Sequence, residues 1–308
     1  LTKMQAFGLN AHFSVEQYGR NVSGKFMNFN GTAGVWRKEC IEDAGGWEYD
    51  TLTEDLDLSY RAQLKGWKFK YLESVTAPAE LPVLVPAIKS QQYRWNKGAA
   101  ETARKNLGKI LLSKLSFGVK WHAIMHLLNS SVFLCLIVAA VFSIPMLYLK
   151  KINPDYNIIF NLASIFIVGF IGMSIFYWVS AKATAKDFSL KYYLKNFPLF
   201  LTFSMGMSLH NAIAVLEGYL GIRTPFIRTP KFNIMSKNDS WKGNTYLNHK
   251  ISFLTIMEGL FSLYFIFGIL SAVYLQDFGL ILFHFMLACG LGAVFILSLK
   301  RIPNAATE

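Results

Sequence analysis

Two clusters in this chain have residue types and spacing that suit chemistry. The first is Thr53-Glu54-Asp55, in the stretch LTEDLDLSYRAQLKGW. A carboxylate held at a fixed point can take a proton from an attacking hydroxyl. A helix N-terminus keeps such a group ionised and oriented. The same two acids also serve as plain complements to a helix dipole, worth ~0.3–1 kcal/mol each, and the residues alone leave both readings open. Asp57 points elsewhere and reads as structural. The second cluster is QQYRW, Gln91 to Trp95, which begins 36 residues after Asp55. On a helix, Gln91, Arg94 and Trp95 share one face. Arginine matches phosphate oxygens in a forked geometry. Glutamine adds a neutral donor, and tryptophan offers a flat surface for a sugar ring. The plainer reading is a surface helix with an interfacial tryptophan.

Local signals indicate what positions these clusters. Thr53 reads as an N-cap and Gly66 as the C′ residue of one helix. KFMNFNGTAGVWRKE reads as a strand, a turn at Asn30-Gly31 and a second short strand. RKECIEDAGGW reads as a short helix closed by Gly45-Gly46, and WKFKYLES as a strand. Pro78, Pro82 and Pro86 interrupt regular structure. From Ile88 to Lys109 a basic amphipathic helix follows, of the kind that lies on a membrane surface.

The 308-residue chain is 53% hydrophobic and only 16% charged, against ~25% in ordinary soluble domains. The deficit falls beyond residue 121, where apolar stretches run over roughly 122–149, 157–179, 196–220, 250–275 and 278–299. Each approaches or exceeds the ~20 residues a membrane helix needs. The third carries Ser204, Ser208, His210, Asn211 and Glu217, which are costly at a bilayer centre. If it spanned, the basic loop 221–250 would break the positive-inside rule. Four spanning helices plus one interfacial segment at 196–220 therefore fit best. The net charge of +12 follows from basic cytoplasmic loops, and no basic stripe with interleaved aromatics points to nucleic acid. Cys40, Cys135 and Cys289 form no disulfide or zinc pattern. His122 and His126 lie at i, i+4 but lack a nearby carboxylate, and they read as an interfacial helix face.

FNGTAG, TED, QQYRW and the apolar spans together resemble a membrane-embedded family 2 glycosyltransferase, of the cellulose synthase and cellulose synthase-like branch that makes β-glucans and β-mannans. RTPKF, Arg228 to Phe232, resembles that family's gating loop. The resemblance implies an α/β, GT-A-type catalytic domain whose acceptor-side half is residues 1–87. Interfacial helices would follow over 88–121, a transmembrane region over 122–299 with a gating-like loop at 221–250, and a cytoplasmic tail at 300–308. It implies Asp55 as general base with Glu54 beside it. Gln91, Arg94, Thr229 and Lys231 would hold the nucleotide diphosphate, and Gly31, Thr32 and Trp95 would meet the acceptor. It further implies a UDP- or GDP-hexose donor, a glycan or lipid acceptor, inverting transfer, coupled export across an inner or plasma membrane, and a cytoplasmic catalytic part. Mg²⁺ or Mn²⁺ would be held by an Asp-x-Asp motif that residues 1–52 lack, so the chain reads as a fragment without its nucleotide-binding half. Two other functions compete. One is a non-processive enzyme that glycosylates a lipid. The other is a transporter subunit, for which Glu258 inside an apolar run is the main support.

Overall fold

The computed structural model describes residues 1–31, 33–153, 155, 158, 166–229 and 251–299. Helix α1 (Thr2–Ala11) continues through a π-helical turn (His12–Gln17) into α2 (Tyr18–Val22). Helices α3 (Lys38–Asp43) and α4 (Glu54–Leu64) precede the long α5 (Val85–Leu112) and α6 (Phe117–Leu127). The apolar part comprises α7 (Val132–Ile152), α8 (Phe166–Thr184), α9 (Leu190–Gly206), α10 (Ser208–Leu220), α11 (Phe253–Tyr274) and α12 (Ile281–Leu299).

The helix boundaries follow the local signals. Thr53 occupies the N-cap of α4, although its side chain makes no capping bond. Gly66 follows that helix at φ 96°, and Gly45 and Gly46 close α3 at φ 91° and 78°. These left-handed values favour glycine. Pro86 enters the first turn of α5, where its missing N–H costs nothing.

The strands expected around Met27 and Phe69 do not form, and the described residues contain no strand at all. Regular structure among the described residues is thus helical, and the α/β expectation is not confirmed there. The reason lies in the backbone partners. Gln63 on α4 clasps Met27 from both sides: the Met27 N–H donates to its Oε1 at 2.9 Å, and its Nε2 donates to the Met27 carbonyl at 2.7 Å. Ser59 Oγ accepts from the Phe29 N–H at 2.9 Å. Asn21 Nδ2 donates to the Phe69 carbonyl at 3.0 Å. Side chains thus satisfy groups that a neighbouring strand would otherwise serve.

Helix α5 joins the two halves. One core beneath it gathers Phe26, Tyr60, Ala103, Ile110, Ala123 and Leu127 from the polar half. On its other side it meets α10, where Gly218 allows close approach: a Cβ there would come within 2.6 Å of the Lys97 carbonyl. A second core of Ala140, Ile144, Leu209, Phe265, Leu287 and Leu291 lies among the apolar helices.

Among the described residues, four segments are long and apolar enough to cross a bilayer: Asn129–Ile152, Ile167–Thr184, Phe253–Tyr274 and Ile281–Leu299. The first begins later than its apolar run suggested, because residues 117–127 form the separate helix α6, with Ala123 and Leu127 buried in the polar half's core. The stretch 196–220 is not one straight rod. Helices α9 and α10 meet at a 51° bend around Met207. Three polar side chains of α10 meet α5. His210 Nε2 lies 3.0 Å from the Lys89 carbonyl, Asn211 Nδ2 donates to Gln92 Oε1 at 2.8 Å, and Glu217 pairs with Lys97 at 3.0 Å. Glu258, in the second turn of α11, is fully buried and pairs with Lys89 of α5 at 2.5 Å.

Candidate active site

Asp55 lies in the first turn of α4, facing α5. Gly98 makes the approach possible: a Cβ at that position would lie 2.6 Å from Thr53 Cγ2 and 2.8 Å from the Thr53 nitrogen. Asp55 Oδ1 accepts from the Leu56 N–H at 2.8 Å. Gly31, at φ 79°, sits against the other oxygen, since a Cβ there would be 3.6 Å from Asp55 Oδ2. The Asn30-Gly31 turn and the carboxylate, 24 residues apart in sequence, thus border one small space. Thr32 and Lys231 lie outside the described residues.

Desolvation pushes the Asp55 carboxyl up to about 6, and the neighbouring Glu54 charge adds to the rise. The Leu56 N–H and the Arg94 guanidinium pull in the opposite direction. A helix terminus alone would keep this group ionised well below that value, and desolvation outweighs the effect. At pH 7 the carboxylate still predominates, while its affinity for a proton is far above that of a solvated aspartate. That balance suits a general base.

Arg94 carries the QQYRW face into the same space, and its charge acts on both Glu54 and Asp55. Its guanidinium also stacks over the Phe226 ring, 4.6 Å from the centroid. The stretch after α10 therefore reaches the site. Gln91 is half-buried and Trp95 is 40% exposed. Gln92 and Tyr93 turn the other way, toward Asn211 and Glu217. Thr229 ends the described stretch 221–229, and no distance ties it to Arg94.

Asp57 has a different role. Its Oδ2 accepts from Arg61 Nε at 2.8 Å and Lys105 Nζ at 3.0 Å, and its Oδ1 from Asn106 Nδ2 at 2.8 Å. Among the described residues, Glu48, Asp50 and Asp57 form a trio with metal-like spacing. The Lys105 ammonium stands among them, 2.5 Å from Glu48, 2.7 Å from Asp50 and 3.0 Å from Asp57. A cation from the chain already neutralises the trio, so these residues do not fit a divalent ion. They brace the loop 47–52 against α4 and α5. His126 likewise serves structure, with Nδ1 2.7 Å from the Tyr60 hydroxyl.

Residues 2–184 match the family model described as Glycosyl transferase family group 2. The chain belongs to that family. The matched range holds Gly31, Glu54, Asp55, Gln91, Arg94 and Trp95, and ends before Thr229. The chain is 32% identical over 273 residues to glucomannan 4-beta-mannosyltransferase 1 of Oryza sativa subsp. japonica, covering 84% of this chain and 48% of the relative. It is 42% identical over 123 residues to glucomannan 4-beta-mannosyltransferase 7 of Arabidopsis thaliana, covering 40% of this chain and 22% of that one. Glucomannan 4-beta-mannosyltransferase 9 of the same plant is 38% identical over 167 residues, covering 51% and 31%. The chain spans about half the length of the first of these relatives and less of the others. No solved structure matches. These likenesses agree with the cellulose synthase-like resemblance carried by FNGTAG, TED and QQYRW.

Sequence reasoning missed Lys105, Trp47 and Phe226. Lys105 is one cation among 31 Lys and Arg residues, and nothing in its neighbourhood marks it. Trp47 carries a usable signal, a large ring directly after a Gly-Gly turn and close to the acidic cluster.

Proposed function

We propose that this family 2 chain forms the acceptor side of a hexosyltransferase that extends a polysaccharide from a nucleotide-sugar. Asp55 takes the proton of the acceptor hydroxyl. The freed oxygen attacks the anomeric carbon of the donor hexose from the face opposite the nucleotide, and the bond from that carbon to the diphosphate oxygen breaks. The anomeric centre inverts in that single displacement. Arg94 and Gln91 receive the departing diphosphate, with Thr229 and Lys231 closing over it from the loop. Gly31, Thr32 and Trp95 meet the acceptor. One observation carries this reading: a largely desolvated carboxylate with its proton affinity raised to about 6 lies beside a glycine turn and within the field of an arginine.

The relatives' names favour mannose as the hexose and a 4-beta linkage, and the donor of this reading is a UDP- or GDP-hexose. The four membrane-length segments and the bent α9–α10 pair favour coupled export over a single transfer to lipid. In this reading the catalytic part faces the cytoplasm, and residues 1–87 belong to an α/β domain of GT-A type. Mg²⁺ or Mn²⁺ belongs to the reaction class, and none of its ligands is assigned to this chain.

The test uses membranes that carry the native protein, supplied with UDP- or GDP-hexoses. Long β-linked products should form, and Arg94→Ala should weaken nucleoside-diphosphate binding about tenfold or more. Addition of a single hexose to lipid would support the non-processive alternative instead. Unchanged diphosphate binding by Arg94→Ala would remove that residue from the donor site.

A further inference from the structure

A groove of about 680 Å³ opens beside the catalytic turn, between the loop 47–52 and the segment after α10. Trp47, Tyr49, Leu52, Glu54, Thr224 and Phe226 line it. We infer that this groove is a subsite for uncharged hexose units of the acceptor glycan, with Trp47 as the stacking platform. The inference rests on the hexosyltransferase reading and names a part of the substrate for which neither Gly31, Thr32 nor Trp95 accounts.

Three observations carry it. The first is the set of open rings. Trp47 is 48% exposed, Phe226 53% and Tyr49 fully exposed. Sugar rings present apolar C–H faces that pack on such surfaces, while their hydroxyls remain solvated. The second is charge. The lining holds Glu48 and Glu54 and neither lysine nor arginine. Arg94 lies over Phe226 and acts on Glu54 and Asp55. Lys105 pairs with Glu48 and Arg94 lies in the field of Glu54, so the lining itself offers an anion no cation, whereas the carboxylate oxygens can accept from glycan hydroxyls. The third is rigidity. The Lys105 ammonium ties down Glu48 and Asp50, and Glu101 accepts from the Leu52 N–H at 2.8 Å. Trp36 holds the Trp47 ring edge-on, with centroids 6.0 Å apart. A wall fixed before binding loses little freedom when a sugar arrives. The volume lies within the ~300–1,000 Å³ typical of small-ligand sites, and Glu54 in the lining makes the groove continuous with the turn that presents Asp55.

Isothermal titration calorimetry on the native full-length protein in detergent tests the assignment. The probes are a linear neutral β-1,4-linked hexasaccharide of mannose or glucose and, separately, UDP and GDP. The chain should bind the hexasaccharide. Trp47→Ala should weaken that binding about tenfold or more, Trp47→Phe should retain most of it, and diphosphate binding should be unaltered in both. Circular dichroism and the thermal midpoint establish that each variant is folded. No hexasaccharide binding at millimolar concentration overturns the proposal, as does unchanged affinity in folded Trp47→Ala. Loss of diphosphate binding alone also overturns it, by assigning the groove to the donor. Turnover of Asp55→Asn tests the general-base assignment, whereas hexasaccharide affinity of Trp47→Ala tests this subsite, so the two failures give different results.

Discussion

The chemistry assigned to Asp55 depends on two opposed effects on one carboxyl group. Desolvation and Glu54 raise its proton affinity, and Leu56 and Arg94 lower it. A base must be deprotonated to act, so turnover should rise with pH and level off above about 6. Glu54→Gln removes a like charge and should move that rise to lower pH. Arg94→Gln removes an opposite charge and should move it higher. pH–rate profiles of the three proteins check both signs, and identical profiles would contradict the electrostatic account. The same shift has a consequence for stability. A carboxyl whose folded-state value is raised above its unfolded value contributes stability that is fully present at low pH and is lost as pH rises through about 6. Asp55→Asn should therefore stabilise the folded chain at neutral pH, by about 1–3 kcal/mol from the size of the shift, and have little effect near pH 4. A thermal midpoint that falls at pH 7.5 would instead favour the dipole-complement reading. The helix start at Thr53 and the helix that carries Gln91, Arg94 and Trp95 were legible, because both are local patterns. The groove at Trp47 was not, because its other wall lies more than 170 residues away in sequence.

At the scale of elements, the site depends on how closely α4 meets α5. Gly98→Ala would place a methyl group 2.6 Å from Thr53 Cγ2 and 2.8 Å from its backbone nitrogen. The backbone cannot swing aside as a flexible side chain would, so the start of α4 must move. That substitution should cost roughly 1–3 kcal/mol and reduce turnover as Asp55 shifts. Gly108, on the same helix, has open space where a Cβ would stand, with nothing within 4 Å. Gly108→Ala should stabilise by about 0.5–1 kcal/mol through helix propensity alone. Chemical unfolding with turnover measured in parallel separates the two, and equal effects would contradict the packing argument. Helices α3, α4 and α5 were legible from caps, glycines and periodicity. The strands at Met27 and Phe69 were not real, because alternation reports a pleated, half-buried segment and not the identity of its partner. Here the partners are Gln63, Ser59 and Asn21 side chains.

Across the whole molecule, the polar half is joined to the apolar helices by buried polar contacts along α5. The Lys89–Glu258 pair spans 169 positions of sequence, and no local pattern could have revealed it. Breaking a buried pair leaves an uncompensated charge and costs ~3–5 kcal/mol. Glu258→Gln should therefore lower the thermal midpoint in detergent markedly, whereas Lys89→Met/Glu258→Met should recover most of the loss. An unchanged midpoint in the single variant would show that the pair does not hold the halves together. The apolar spans were legible from length and hydropathy. The bend at Met207 was foreshadowed by the polar residues around it, and its direction became clear only once α5 supplied their partners.

The most direct test of the central claim is the turnover of Asp55→Asn in native membranes, measured as polysaccharide formed from the nucleotide-sugar. The account predicts a loss of at least ~10²-fold, the usual size of an acid–base contribution, with nucleoside-diphosphate affinity retained. Glycan synthesis near the unmodified rate would contradict it and leave Asp55 as the complement of a helix dipole.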